Sequence, residues 1–209
     1  MCGRYAVLTE EENIEIKEII SEINERFKSD SSQKLPYKSG EIFPTDSVPI
    51  ITCNERNQRV VNLFKWGFPN FKPTNGVIIN ARSETLEEKP TFKNIFRWKR
   101  CIVPASGFYE WAQTTGKKEK YLIRAVDQDL FYMAGLYNTF TDKQGNLFTG
   151  FVIITTAANE KMSKIHNRMP VIFQRKDIDL WLDTQTKDLA QIQTLLKPYS
   201  NENLLVLKD

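Results

Sequence analysis

Histidine is almost absent from this chain, with His166 the only one among 209 residues. A single imidazole would force a zinc or iron site to be built from carboxylates in unusual combinations, so metal chemistry is set aside and no cofactor is called for. Cysteine is nearly as scarce. Cys2, Cys53 and Cys101 form no close-spaced pair, and an odd count in a reducing compartment argues against a disulfide framework. No apolar run approaches the roughly 18 residues of a membrane span, and the first residues lack the apolar core of a signal peptide. The expectation is a cytoplasmic protein with no membrane partner. Internal repeats, low-complexity blocks and a Pro/Gly/Ser-rich linker are missing too, so residues 1–209 read as one domain. Hydrophobic residues at 41% and charged residues at 26% exclude disorder and collagen-like repeats. A net charge of +3 permits a local basic groove without demanding one.

What is present reads as short strands with helices near both ends. MCGRYAVL opens as a strand with Tyr5 and Val7 on one face. Thr9 and Glu12 spell a T-x-x-E capping box, and Ile16, Ile19, Ile20, Ile23 and Phe27 then recur at helical spacing before the polar stretch SDSSQK. Residues 48–53 and QRVVNLFKWGF read as strands around the turn NERN, 77–80 as a buried strand, and 92–98 as a short helix. In the second half RCIVP and GFYEW are joined by ASG. KYLIRAV and LFYMAGLYNTF flank the turn DQD, and LFTGFVIITTAAN follows the glycine-containing turn TDKQGN. Asn159 caps a short helix, and DIDLWLD and TKDLAQIQTLLK are helical patterns, the second ending at Pro198. The sum is an α+β domain with a curled, mainly antiparallel sheet system.

Cys2 follows the initiator methionine directly, a position from which methionine is removed when the next side chain is small. Its loss would leave an α-amine and a thiol on adjacent carbons. Such a 1,2-aminothiol condenses with an aldehyde to an imine, which the sulfur then closes into a five-membered thiazolidine. Both groups are only partly deprotonated near neutral pH, since the amine titrates at about 7.7–8.0 and the thiol near 8.5. Position alone does not decide, because processing by itself favours a small residue there. His166, in KIHNRMPVI, is a general acid or base by type and equally a hydrogen-bonded histidine near a strand end. In GFYEWA, alternation puts Phe108 and Glu110 on one side and Tyr109 and Trp111 on the other, a costly setting for an unpaired buried carboxylate. Asn80 ends an apolar run, where an asparagine serves a turn or holds a ligand through its amide. Arg4, Arg82 and Arg168 each lie within two residues of one of these groups, and guanidinium groups fit phosphate oxygens bidentately. Trp66, Phe68 and Trp111 offer flat faces for bases, worth about 1–3 kcal/mol each, although a single aromatic is more often core. The basic run RWKR at 97–100 reads as a solvated helix end.

MCGRY, WGF, INARSET, RCIVPASGFYEW and TTAAN followed by IHNRMPVI occur in this order. Together they resemble the SRAP family, the SOS response-associated peptidases or abasic site processing proteins, from Cys2 to about Leu182. The resemblance implies a single α+β domain with a barrel-like β core and flanking helices, and a positive groove for single-stranded DNA containing abasic sites. It also implies that Met1 is removed in a peptidase-type step and that Cys2 bonds covalently to the abasic sugar through a thiazolidine. Asn80, Glu110 and His166 match the family's active-site positions beside Cys2. Arg4, Arg82 and Arg168 match its phosphate-contacting arginines, Trp66, Phe68 and Trp111 fall in nucleotide-facing motifs, and Pro44 and Thr155 line the groove. Two departures stand out: Gly67 intervenes before Phe68, and Pro90 stands two residues before Phe92 where some members carry arginine. The expected partner is abasic single-stranded DNA, the expected state a monomer associated with the nucleoid when bound. An imine that escapes closure would permit β-elimination, a lyase side activity. The alternatives are a cysteine peptidase acting on proteins, with Cys2 as nucleophile and His166 as base, and a non-covalent binder of single strands.

Overall fold

In the computed structural model, which describes residues 2–9, 11–26, 37–70, 76–114, 116–126, 128–186 and 188–209, the apolar alternation becomes two curved layers. In chain order the first elements are β1 (Tyr5–Val7), α1 (Ile14–Arg26), β2 (Gly40–Ile42), β3 (Ser47–Cys53), β4 (Arg59–Trp66), β5 (Phe68–Pro69), β6 (Val77–Ile78) and β7 (Asn80–Arg82). Next come α2 (Pro90–Trp98), β8 (Arg100–Ala105), β9 (Gly107–Thr114), β10 (Lys117–Ala125), β11 (Phe131–Thr141) and β12 (Leu147–Ala157). The chain finishes through α3 (Glu160–Ser163), β13 (Arg168–Pro170), β14 (Ile172–Phe173), α4 (Ile178–Leu182), α5 (Leu189–Thr194) and β15 (Leu204–Lys208). No helix among the described residues is long and apolar enough to cross a membrane.

Five strands close on themselves in the order β4, β3, β8, β11, β12. Every seam is antiparallel except the last, where β12 runs parallel to β4 with Phe151 opposite Trp66. The curled, mainly antiparallel sheet expected from the strand pattern is this closed barrel, the barrel-like core that the resemblance implied. At the parallel seam the backbones nearly touch: a Cβ on Gly150 would lie 2.5 Å from the carbonyl oxygen of Gly67, and Gly67 itself sits at φ +123°. The Gly67 amide donates to the Phe151 carbonyl at 2.8 Å, after which the chain leaves the barrel. Strand β7 then takes the place of β4 along β12, parallel, with Asn80 opposite Ile153 and Arg82 opposite Thr155. This hand-over puts Asn80 on the edge of β12 just beyond Trp66.

The second layer is the antiparallel sheet β15-β10-β9-β1-β2. It faces the barrel with Tyr5, Val7, Phe108 and Ile123, and the rings of Phe108 and Phe131 meet edge to face at 6.4 Å. A single extended run, β8 then β9, serves both layers, because the chain switches sheets at Ser106, whose amide donates to Ala6. Helix α1 buries Ile16, Ile19, Ile20 and Ile23 against β3 and β4.

Several local expectations change. Glu12 does accept from the Thr9 amide and hydroxyl, at 2.7 and 2.8 Å, but this closes a turn ahead of the helix. The cap itself is Asn13, whose Oδ1 accepts from Ile16 N at 3.1 Å. Phe27, SDSSQK and Pro36 lie outside the described residues. Strands β10 and β11 do not pair with each other, because they belong to different layers; β10 instead forms a hairpin with β9, Lys117 lying opposite Thr114. The run 97–100 is not wholly solvated: Arg97 and Trp98 are exposed, whereas Arg100 is buried. The Arg100 guanidinium donates to the carbonyls of Phe96, Arg97, Trp181 and Asp183, tying α2 and α4 to β8.

Candidate active site

Cys2 lies just ahead of β1 and is completely buried. Asn80 Nδ2 donates to the Cys2 carbonyl at 2.9 Å, so a residue from β7 grips the backbone of Cys2. The other end of that amide, Oδ1, is buried with no partner among the described residues. The Cys2 thiol donates loosely to the Arg4 carbonyl at 3.6 Å. Burial pushes this thiol well above the ordinary thiol range, and the nearby Glu110 carboxylate pushes the same way; the Arg4 backbone offsets only part of that. At rest the sulfur is therefore a protonated, weakly nucleophilic thiol. Glu110 is 3% exposed on the inner side of β9 beside Phe108, whereas Tyr109 and Trp111 face outward and are half-buried.

His166 follows α3, where its amide donates to the Met162 carbonyl at 2.8 Å. The Arg168 amide donates to His166 Nδ1 at 3.0 Å. An accepting Nδ1 assigns the proton of the neutral ring to Nε2, which makes that nitrogen the one that can deliver a proton. Arg168 is already engaged. Its guanidinium makes a bidentate pair with Glu84 at 2.7 and 2.9 Å and donates to the Thr155 carbonyl at 2.6 Å. Strand register gathers Asn80, Arg82, Thr155 and Arg168 on the adjoining strands β7, β12 and β13.

Around Arg4 a second cluster forms on the outer face. The guanidinium lies 4.3 Å from the Phe43 ring centre and 5.1 Å from that of Trp111, and it pairs with Glu41 at 3.1 Å. Pro44 begins a half-buried turn closed by Asp46, which accepts from the Phe43 amide at 2.8 Å. Arg82 is exposed and makes no ion pair with any described residue.

Three sequence-predicted contacts are placed differently from expectation. Trp66 is fully buried, stacked at 6.4 Å on Phe151 with its Nε1 donating to the Ile79 carbonyl, and Phe68 packs among Phe92 and Phe140. Neither ring offers a face to a base, because Trp66 is enclosed by Phe151 and Tyr5 and Phe68 is covered by Phe92 of α2 and Phe140 of β11. Thr155 is also buried and braces Arg168 from beneath rather than lining a groove. Sequence reasoning missed Glu84, Glu41 and Phe43, whose only signal is type, since each acts on a residue far away in the chain. Among the described residues no group of three His, Cys, Asp or Glu could hold a metal ion.

The family model described as SOS response associated peptidase (SRAP) matches residues 1–208. Abasic site processing protein YoqW of Bacillus subtilis is 35% identical over 213 residues, covering 98% of this chain and 90% of that protein. Abasic site processing protein HMCES of Gallus gallus is 34% identical over 144 residues, 58% of this chain and 43% of its own length. A crystal structure of a Bacteroides thetaiotaomicron protein superposes with a TM-score of 0.80 at 28% identity, covering 99% of this chain and 91% of that one.

Proposed function

The chain belongs to the SOS response associated peptidase (SRAP) family, and from that premise we propose that it captures abasic sites in single-stranded DNA as a thiazolidine on Cys2 once Met1 is gone. The observation that supports this reading best is the grip on Cys2. The residue is buried, its carbonyl is tied to Asn80, and its thiol lies in the field of Glu110. An internal cysteine used only for packing needs none of these polar neighbours.

An abasic deoxyribose is mainly a closed hemiacetal, and opening it requires a proton on the ring oxygen. His166 delivers that proton from Nε2, the nitrogen that carries the ring proton when Nδ1 accepts from the Arg168 amide. The Cys2 amine adds to the exposed aldehyde carbon, water leaves, and an imine forms. Glu110 moves protons to and from the amine; a carboxylate beside an amine favours the ammonium, so its part is shuttling and orientation. Asn80 holds the terminus, with Oδ1 as the acceptor for an amine proton. The sulfur then attacks the imine carbon and turns a reversible adduct into a long-lived one. If closure is slow, the imine allows loss of the 3′ phosphate by β-elimination, a lyase side activity. Arg82 and Arg168 contact phosphates, Arg4 and Trp111 receive the neighbouring nucleotide, and Pro44 shapes the groove, while Trp66, Phe68 and Thr155 support its floor.

A peptidase acting on other proteins needs a thiolate paired with an imidazole. Here the thiol proton points at the Arg4 carbonyl and burial holds it in place, which favours the carbonyl-trapping reading. Intact-mass spectrometry after incubation with an abasic oligonucleotide is the test. The expected product has the mass of protein plus DNA minus one water, mapped to residue 2 and lost in Cys2→Ala. Turnover of added peptides without any DNA adduct would replace this reading with the peptidase.

A further inference from the structure

Asn80 Oδ1 is not the only buried polar atom here without a partner among the described residues; the hydroxyl oxygen of Tyr5 is another. Tyr5 is fully buried on β1, three residues after Cys2. Its ring meets Trp66 edge-on at 5.1 Å, and Trp66 Nε1 donates to the Ile79 carbonyl at 3.1 Å. Asn80, the next residue, donates to the Cys2 carbonyl at 2.9 Å. Contacts and chain thus link Tyr5 to Trp66, Ile79, Asn80 and back to Cys2, and Cys2 is among the groups whose charge acts on the Tyr5 phenol. An interior hydroxyl with no partner is costly, and phenylalanine would fill the same space without it. Among the described residues nothing in the fold accounts for the oxygen.

We propose that the Tyr5 hydroxyl serves the reaction, donating a hydrogen bond to the Cys2 sulfur as the thiol gives up its proton and so holding the thiolate that closes the ring. The role rests on the thiazolidine reading, but its test is independent of DNA. In the closing step the C–S bond forms, the π pair of the imine returns to nitrogen, and the thiol proton ends on that nitrogen. No outside reagent is consumed. The demanding moment is ionisation of a buried sulfur, opposed by burial and by Glu110. The Arg4 carbonyl can only accept, so its contact at 3.6 Å turns unfavourable once the thiolate forms. Tyr5 supplies an O–H that stays protonated, because burial, together with Cys2, Asp46 and Cys101 around it, holds the phenol well above its ordinary range.

The experiment compares mature wild type with Tyr5→Phe. Alkylation of Cys2 by iodoacetamide is followed against pH by peptide mass spectrometry without DNA, and ring closure on an abasic oligonucleotide is followed in parallel. Tyr5→Phe should melt at the same temperature or higher. Its alkylation profile should move up by about one pH unit or more, and closure at neutral pH should slow about tenfold or more, the range of a hydrogen bond to a charged group. Site-specific 3-fluorotyrosine at position 5 keeps the shape and strengthens the donor, so the profile should move down; this arm decides even if Tyr5→Phe folds poorly. A thiol profile unmoved by either change overturns the role of Tyr5. A shifted profile with no adduct even in wild type leaves the hydrogen bond from Tyr5 to the sulfur standing and removes the DNA reading instead.

Discussion

Arg168 can serve a phosphate only in so far as its charge is not spent on Glu84, and Glu84→Gln measures that balance. The substitution keeps the shape but removes the negative charge: of the two bonds of 2.7 and 2.9 Å one remains, accepted by the amide oxygen, and the other is lost because the amide nitrogen can only donate. The side chains are 13% and 49% exposed, so screening limits the pair to about 0.5–1 kcal/mol. For a chain of this size that corresponds to a melting shift of about 1–4 °C. Arg168 holds the Glu84 carboxyl below its ordinary range. A group depressed in this way stabilises above its unfolded pKa, about 4.3, and that gain is lost as pH falls through the lower folded value. Variant and wild type should therefore differ at neutral pH and converge in acid. The guanidinium stays fixed by the Thr155 carbonyl at 2.6 Å but gains an uncompensated positive charge. Non-covalent binding of a single-stranded oligonucleotide, measured in the Cys2→Ala background, should then tighten at low salt. The slope of log K against log salt should steepen by up to about 0.7, the contribution of one phosphate on a single strand. An unchanged or shallower slope would refute the assignment of Arg168 to a phosphate.

Three further outcomes follow from the same geometry. Gly150→Ala drives a Cβ to 2.5 Å from the Gly67 carbonyl and should cost about 1–3 kcal/mol by denaturant titration; an unaffected midpoint would mean the parallel seam is not closed as described. Arg100→Met strips donors from four carbonyls and should cost about 3 kcal/mol or more in the same assay, with a loss near zero contradicting the clamp between α2 and α4. Asn80→Ala frees the Cys2 carbonyl and should slow adduct formation about tenfold or more while shifting the melt little; an equal loss of stability and rate would make Asn80 merely structural.

What could be read in advance was local. Alternation in GFYEW turned Phe108 and Glu110 inward, and Asn159 does cap its helix, with Oδ1 accepting from Met162 N at 2.9 Å. What could not be read depends on partners distant in sequence. The parallel seam of β12 on β4 joins strands that no hairpin connects and stacks Trp66 on Phe151, while α2 and β11 cover Phe68, so two rings that look like stacking faces in the linear motif are buried. The Glu84 partner of Arg168 lies 84 residues away, so no spacing rule reveals it. Strand β15 escaped notice because LLVLK is short, and its place at the sheet edge is set by β10. Asn13 took the cap that the T-x-x-E pattern offered to Thr9, since an asparagine immediately before the first turn reaches the helix amides more directly.

The most direct test of the central claim is to bar the amine while sparing the thiol. A fixed, non-removable extension ahead of Cys2 leaves the sulfur intact but converts the α-nitrogen into an amide, and intact-mass spectrometry then scores capture of an abasic oligonucleotide. The account predicts no covalent product from the extended protein and full adduct from the mature one. Equal adduct yield from both would contradict it.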